Sequence, residues 1–198
     1  MVKQLSQRIA GCFADNRVID EKETGIYEYG LTVLIYSLVN LATIFLIGGL
    51  FDCIPESICY TVCYILLRKC TGGYHARTPH ACYLFSTLMF LASILVVRSG
   101  LAGIHLLILV AVLAIACSFI VPVDTENKKL SLKEKKVYRF ISLTVFLLEV
   151  SIGIAAYRVQ FRMLYDSVIV AIFCCELLVL VGYLYNYSRE RRKPETEL

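Results

Sequence analysis

Two of the three histidines and two of the nine cysteines of this chain share one polar stretch, Arg68 to Cys82 (RKCTGGYHARTPHAC), set between two apolar runs. A thiol beside an imidazole makes a nucleophile with its general base, the pair needed for acyl transfer from an amide. Thr78 followed by Pro79 reads as a helix N-cap and first helical position, because proline loses nothing where the amide has no partner and its fixed φ suits a helix start. Cys82 then falls in the first turn of a helix, where unpaired amides and the positive end of the helix dipole favour an anion. Nearby Arg77 adds to that effect. His75 lies seven residues earlier, behind Gly72 and Gly73, which let the backbone turn sharply and fold the imidazole back towards the thiol. His80 is a rival base, but two residues from Cys82 on a helix it points to another side. A metal reading also exists, since Cys70, His75, His80 and Cys82 supply four soft or borderline ligands, yet no CxxC or HExxH spacing accompanies them. On spacing alone, a solvated or packed His and Cys at a helix mouth is the plainer interpretation.

The elements that must hold these residues are apolar. The chain has 198 residues, is 58% hydrophobic and has a mean hydropathy of +0.69, which lies outside the soluble range and predicts an all-α, polytopic membrane protein. Val2, Leu5, Ile9, Cys12 and Phe13 recur at helical spacing opposite Lys3, Gln4, Gln7 and Arg8, as in a helix lying in the headgroup plane; packing beneath a bundle would show the same pattern. Asp20 and Glu23 resemble a capping box, so a second helix starts there and runs into the first span. Leu31 to Leu50 is uncharged and long enough to cross a hydrocarbon core. Cys53 to Leu67 is shorter, either a short span or a re-entrant segment. Cys82 to Val97, Leu101 to Val121, Phe140 to Tyr157 and Ser167 to Tyr185 complete about six transmembrane helices. Pro122 ends the fourth run, and Ser131 with Glu134 form a capping box for the helix after the loop. The expected organisation is thus residues 1–30 as cytoplasmic or interfacial amphipathic helices, 31–187 as a six-helix transmembrane domain holding segment 68–82 and the basic loop 122–139, and 188–198 as a cytoplasmic tail.

Charge sets the expected orientation. With an inside N-terminus, only Arg98, Arg158 and Arg162 of the 20 lysines and arginines fall on the outer face, a strong positive-inside bias. Both termini, segment 68–82 and loop 122–139 are therefore expected to be cytoplasmic. Met1 to Gly30 is mixed and charged, so no cleaved leader is expected. The cysteines inside apolar runs (Cys59, Cys63, Cys117, Cys174 and Cys175) read as small hydrophobes in a reducing setting. A net charge of +4 without a basic stripe interleaved with aromatics argues against nucleic acid as a partner.

The run Arg68, Gly72, Gly73, Tyr74, His75, Ala76 and then Cys82 resembles the RxxxGGxHAxxxxxC signature of the accessory gene regulator B (AgrB) family of bacterial membrane endopeptidases. Pro122 and Asn127-Lys128 look like that family's P…NK loop motif, while Lys129 stands where many members have proline. Chain length, the amphipathic N-terminal region and the order of apolar runs are also similar. The resemblance implies cleavage of a short quorum-sensing propeptide near its C-terminus, with Cys82 as nucleophile and His75 as general base. It implies an acyl-enzyme thioester that a cysteine or serine of the propeptide attacks, leaving as a thiolactone or lactone. No cofactor and no metal are implied.

Propeptides of the family tend to be acidic at the C-terminal end. Arg68, Arg77, Lys128 and Lys129 could hold such a tail and, with Gly72, Gly73 and Asn127 of the two motifs, make up the candidate substrate-binding set. Positive-inside topology and contact with anionic membrane lipids would explain the same charges. Asn40, Glu149 and Glu176 each lie near the middle of a span, where an isolated acid costs about 2.5 to 3.5 kcal/mol. They are expected to face one another or a wet cavity, with a proton shared between the carboxyls, as structural glue, a dimer contact or a substrate-lined cavity. His105 is expected to be a hydrogen-bonded packing residue of the fourth span, and Asp124 is the one guess for an acid that orients His75. Polar midplane groups and two short spans are compatible with a homodimer. A small peptide exporter lined by the midplane residues is the alternative function, and a scaffold without chemistry is a third, which leaves the clustering of GGYH and Cys82 unexplained.

Overall fold

A computed structural model describes residues 2–74, 76, 78–101, 103–123 and 130–191, without the side chains of 104 and 190. Among them the chain is helical throughout: α1 (Val2–Asp15), a 3-10 turn (Glu21–Glu23), α2 (Thr24–Leu50), α3 (Ile54–Thr71), α4 (Pro79–Ser99), α5 (Ile104–Ile120), α6 (Leu132–Arg158) and α7 (Arg162–Glu190). Four segments, Glu21–Leu50, Pro79–Ser99, Leu132–Arg158 and Arg162–Arg189, are long and apolar enough to cross a membrane. The fold is that of a helical membrane protein. Of the about six crossings expected, four are long and apolar enough among the described residues, and α3 and α5 are not. The apolar part of α5 is short (His105–Ile120), and α3 carries Glu56, Arg68 and Lys69 within 18 residues, a rise of about 27 Å.

The helix starts follow from their capping residues. Asp20 caps the 3-10 turn by accepting from the N–H of Lys22 at 3.2 Å, and Glu23 closes it through its backbone to the Asp20 carbonyl, so the anticipated reciprocal box is a one-sided cap. Ser131 and Glu134 form the full box: Glu134 N–H donates to Ser131 Oγ at 3.3 Å, and Ser131 N–H donates to the Glu134 carboxylate at 2.8 Å.

The chain divides into two compact units. The first contains Met1–Ile47 and Ala76–Phe90. In it, α1 buries its small residues Ser6 and Ala10 and leaves Leu5 and Phe13 exposed, the side that a headgroup-plane helix turns to lipid. Tyr36, Asn40 and Thr43 of α2 form a helical stripe facing His80, Tyr83 and Thr87 of α4. The Tyr36 and His80 rings meet edge to face with centroids 6.4 Å apart, Thr43 and Tyr83 hydroxyls are 3.1 Å apart, and Thr87 Oγ1 donates to Asn40 Oδ1 at 3.5 Å.

The second unit contains Gly48–His75 and Leu91–Leu198. Its centre is α7, which packs against α3, α5 and α6. A helix apolar all round belongs in the interior of a bundle, and from Tyr165 to Val179 nearly every α7 residue is buried. Val168, Ile169, Ile172 and Cys175 of α7 join Leu67, Val110 and Ala156 in one core, and Val179 joins Cys117, Val121 and Val123 in another. Gly153 of α6 brings that helix close to Ile169 and Val168. Tyr60, Ser93 and Cys174 tie the interior together by hydrogen bonds through the Ser93 hydroxyl, 3.2 Å from the Tyr60 oxygen and 3.3 Å from the Cys174 sulfur.

Two expectations about polar residues are corrected here. Glu149 and Glu176 are both buried, and none of their carboxyl oxygens has a hydrogen-bond partner among the described residues, so they share no proton; Asn40 bonds Thr87 instead. His105 is exposed at the start of α5, not packed, because it sits in the first turn of a helix that begins at residue 104.

Candidate active site

Cys82 stands where local capping puts it. Thr78 Oγ1 accepts the N–H of Ala81 at 3.2 Å, and the Thr78 carbonyl accepts the N–H of Cys82 at 3.0 Å, the first bond of the helical ladder. Pro79 occupies the first helical position, where its missing N–H costs nothing. The thiol is partly buried, and none of the nine cysteines is in a disulfide. His80 is turned to Tyr36, and two residues along a helix is a rotation of about 200°, so Cys82 lies on another side of α4 from His80. His75 and Arg77 lie outside the described residues, as do Asp124, Asn127, Lys128 and Lys129.

The segment that leads to His75 is held from three directions. Helix α3 ends at Thr71, and Gly72 (φ +68°) and Gly73 (φ +111°) both adopt backbone conformations that L side chains rarely reach. Conformation is only part of the requirement. A Cβ on Gly72 would run into the Val123 carbonyl oxygen, and one on Gly73 into the Arg68 guanidinium and the Leu178 carbonyl. Arg68 lies one turn back on α3 and donates to the carbonyls of Gly72 and Tyr74. The sequence reading offered it as a substrate contact; in the fold its fork closes the turn, which suits the rigid, multi-donor geometry of a guanidinium.

The second direction is the loop after α5. Gly72 and Val123 form a parallel bridge, with Val123 N–H donating to the Thr71 carbonyl at 3.0 Å. This carries Pro122, which follows a cis peptide bond, to the end of α3. Arg139 of α6 holds the same end of α5 by donating to the Ser118 carbonyl at 2.7 and 3.0 Å and to that of Phe119 at 2.8 Å. The two motif pieces, separated by some 50 residues, thus meet backbone to backbone. Beside them opens a cavity of about 340 Å³, mostly apolar, whose walls include Tyr64, Lys69, Cys70, Gly72, Val123 and Tyr138. Among the described residues no three His, Cys, Asp or Glu side chains converge as a metal site would need.

The third direction is α7. Tyr74 N–H donates to the Leu178 carbonyl at 2.9 Å, and the Tyr74 ring meets that of Tyr185 edge on with centroids 5.6 Å apart. Leu178 and its neighbour Gly182 were not singled out from the sequence. The only available signal was an isolated glycine in an apolar run, which reads equally well as ordinary helix packing.

Comparison with known proteins gives the family. The family model for accessory gene regulator B matches residues 6–183. An AgrB-like protein of Clostridium perfringens (strain SM101 / Type A) is 23% identical over 173 residues, covering 77% of this chain and 81% of the relative. AgrB-like protein 2 of Clostridium perfringens (strain 13 / Type A) is 22% identical over 144 residues, covering 69% and 67%. Protein FsrB of Enterococcus faecalis (strain ATCC 47077 / OG1RF) is 28% identical over 119 residues, 59% of this chain and 49% of that protein. No solved structure is significantly similar to the chain. With a match that covers most of its length and contains both motif pieces, the chain belongs to the accessory gene regulator B family, a quorum-sensing family of the membrane.

Proposed function

We propose that this chain is a membrane-embedded cysteine endopeptidase that cuts a short quorum-sensing propeptide near its C-terminus. The observation that carries the reading is the placement of Cys82 in the first turn of the helix that Thr78 caps. The turn that precedes His75 is fixed separately, by the Tyr74 N–H on the Leu178 carbonyl.

In the proposed reaction the Cys82 sulfur attacks the scissile carbonyl while His75 takes the thiol proton. His75 then returns that proton to the departing amine, the C–N bond breaks, and the C-terminal fragment leaves. The remaining peptide is held as a thioester on Cys82. A cysteine thiol of the peptide attacks the thioester carbonyl and forms a thiolactone, or a serine hydroxyl forms a lactone; its proton passes to the Cys82 sulfur, which departs as the free thiol. Exchange of one thioester for another is nearly balanced in energy, so ring closure needs no nucleotide. Its main competitor is water, and an apolar surrounding at the membrane disfavours hydrolysis.

The partner in this reading is a propeptide with an acidic C-terminal tail, engaged by Arg77, Asn127, Lys128 and Lys129 on a cytoplasmic face that also meets anionic lipid. Arg68, Gly72 and Gly73 complete this candidate set, and Arg68 also closes the turn through the Gly72 and Tyr74 carbonyls. The test is co-expression with the propeptide, followed on gels. Cys82→Ser and His75→Ala should each abolish cleavage while still inserting into the membrane. Full cleavage by either variant removes that residue from its role, and unimpaired peptide export by Cys82→Ala would favour a peptide exporter.

A further inference from the structure

The face of α7 that receives the turn has an unusual composition. Leu178, Gly182 and Tyr185 stand at i, i+4 and i+7, so they form one stripe along the helix. Leu178 supplies a carbonyl to Tyr74 N–H, and Tyr185 supplies an aromatic edge to the Tyr74 ring. Gly182, between them, supplies nothing but space. A Cβ built there would collide with the Tyr74 nitrogen, and with the Gly73 carbonyl carbon at 2.6 Å and Cα at 2.9 Å. All three obstacles are backbone, and backbone cannot rotate out of the way as a side-chain end can. A helix carbonyl already used in the ladder keeps a second lone pair. The gap at Gly182 is what lets another chain segment come close enough to use it.

Glycine inside a helix is unfavourable by about 1 kcal/mol relative to alanine. Gly182 is the single glycine of α7 and is buried, so its place calls for a local reason. Gly153 provides the contrast: its added Cβ would meet only side-chain atoms, Ile169 Cδ1 at 3.3 Å and Val168 Cγ1 at 3.7 Å. At 153 the missing side chain serves helix-to-helix packing. At 182 it serves the docking of a non-helical segment.

We infer that Gly182 is a positioning residue for the active site proposed above: by lacking a side chain it lets the Gly73–Tyr74 backbone dock on α7, and so sets the point from which the chain enters His75. The inference rests on the endopeptidase reading. It makes α7 part of the catalytic frame although α7 contributes no reacting group, and it pairs Gly182 with Arg68, which closes the same turn from the α3 side.

The experiment uses the full-length chain in detergent micelles and two readouts: hydrogen–deuterium exchange at the Tyr74 amide, and the pH profile of Cys82 alkylation by iodoacetamide, read by peptide mass mapping. In Gly182→Ala the Tyr74 amide should exchange about tenfold faster, as for loss of one backbone hydrogen bond. The Cys82 profile should become that of His75→Ala, with alkylation about tenfold slower at neutral pH than in the unaltered chain. A helix glycine replaced for packing reasons alone would not move that profile, so Gly153→Ala should match the unaltered chain. If Gly182→Ala matches it too, or Gly153→Ala behaves like Gly182→Ala, the inference is overturned. If His75→Ala leaves the profile unchanged, the catalytic pair itself fails and the inference with it, a result distinct from the first. Should Gly182→Ala not fold, an unprotected Tyr74 amide in the unaltered chain overturns the docking. A protected one, with Arg68→Gln giving the His75→Ala profile, upholds it.

Discussion

Gly72 and Val123 pair backbone to backbone as an isolated parallel bridge, and the N–H of Val123 donates to the carbonyl of Thr71 at 3.0 Å. This one contact ties the end of α3 to the end of α5. It makes the turn before His75 and the start of the basic loop a single piece of structure.

The bridge makes Gly72 intolerant of any side chain. Gly72→Ala adds the cost of a positive φ with an extended ψ (+68°, −142°), about 1 to 3 kcal/mol, to a collision with the Val123 carbonyl. The variant should insert normally into membranes and lose propeptide cleavage about tenfold or more. Gel assays of cleavage against membrane-fraction abundance separate the two effects.

Thr78 holds the first turn of α4 through the N–H of Ala81. Removing an N-cap hydroxyl costs about 0.5 to 2 kcal/mol of local helix stability. Thr78→Ala should therefore slow cleavage while Thr78→Ser restores it, since serine offers the same oxygen. Initial rates of the two variants, compared at equal protein level, check this.

Glu149 and Glu176 have no hydrogen-bond partner among the described residues. Glutamine keeps their shape and removes an ionisable group whose charged form costs about 2.5 to 3.5 kcal/mol within a span. The melting temperature in detergent should stay constant or rise in Glu149→Gln and Glu176→Gln. A fall of several degrees in either would restore the view that these acids hold the bundle together.

Charge reversal in the loop tests the tail contact. Lys128→Glu combined with Lys129→Glu should raise KM for the propeptide several-fold and leave kcat nearly unchanged, because charge complementarity acts mainly on encounter. The effect should shrink as salt is added if the attraction acts through solvent, where charges are screened over about 10 Å at 0.1 M ionic strength. A salt-independent loss of kcat would point to a role within the reaction instead.

What could be read from the sequence was whatever depends on neighbours a few residues away. Thr78 and Pro79 open α4, Ser131 and Glu134 open α6, and the paired glycines bend the chain after α3, because caps and turns are settled by hydrogen bonds and φ preferences within one helical turn. Apolar runs of sufficient length announced a helical membrane protein for the same reason, although α3, with charges near both ends, did not reach the apolarity of a crossing. The shared proton expected of the midplane acids is absent because depth in a span says nothing about which way a side chain faces. The role of Arg68 and the part played by Val123, Leu178 and Gly182 came only with the tertiary structure. Each acts on a backbone group brought near by helix packing or by a turn of the chain, and a residue's type carries no record of which distant carbonyl or amide will lie beside it.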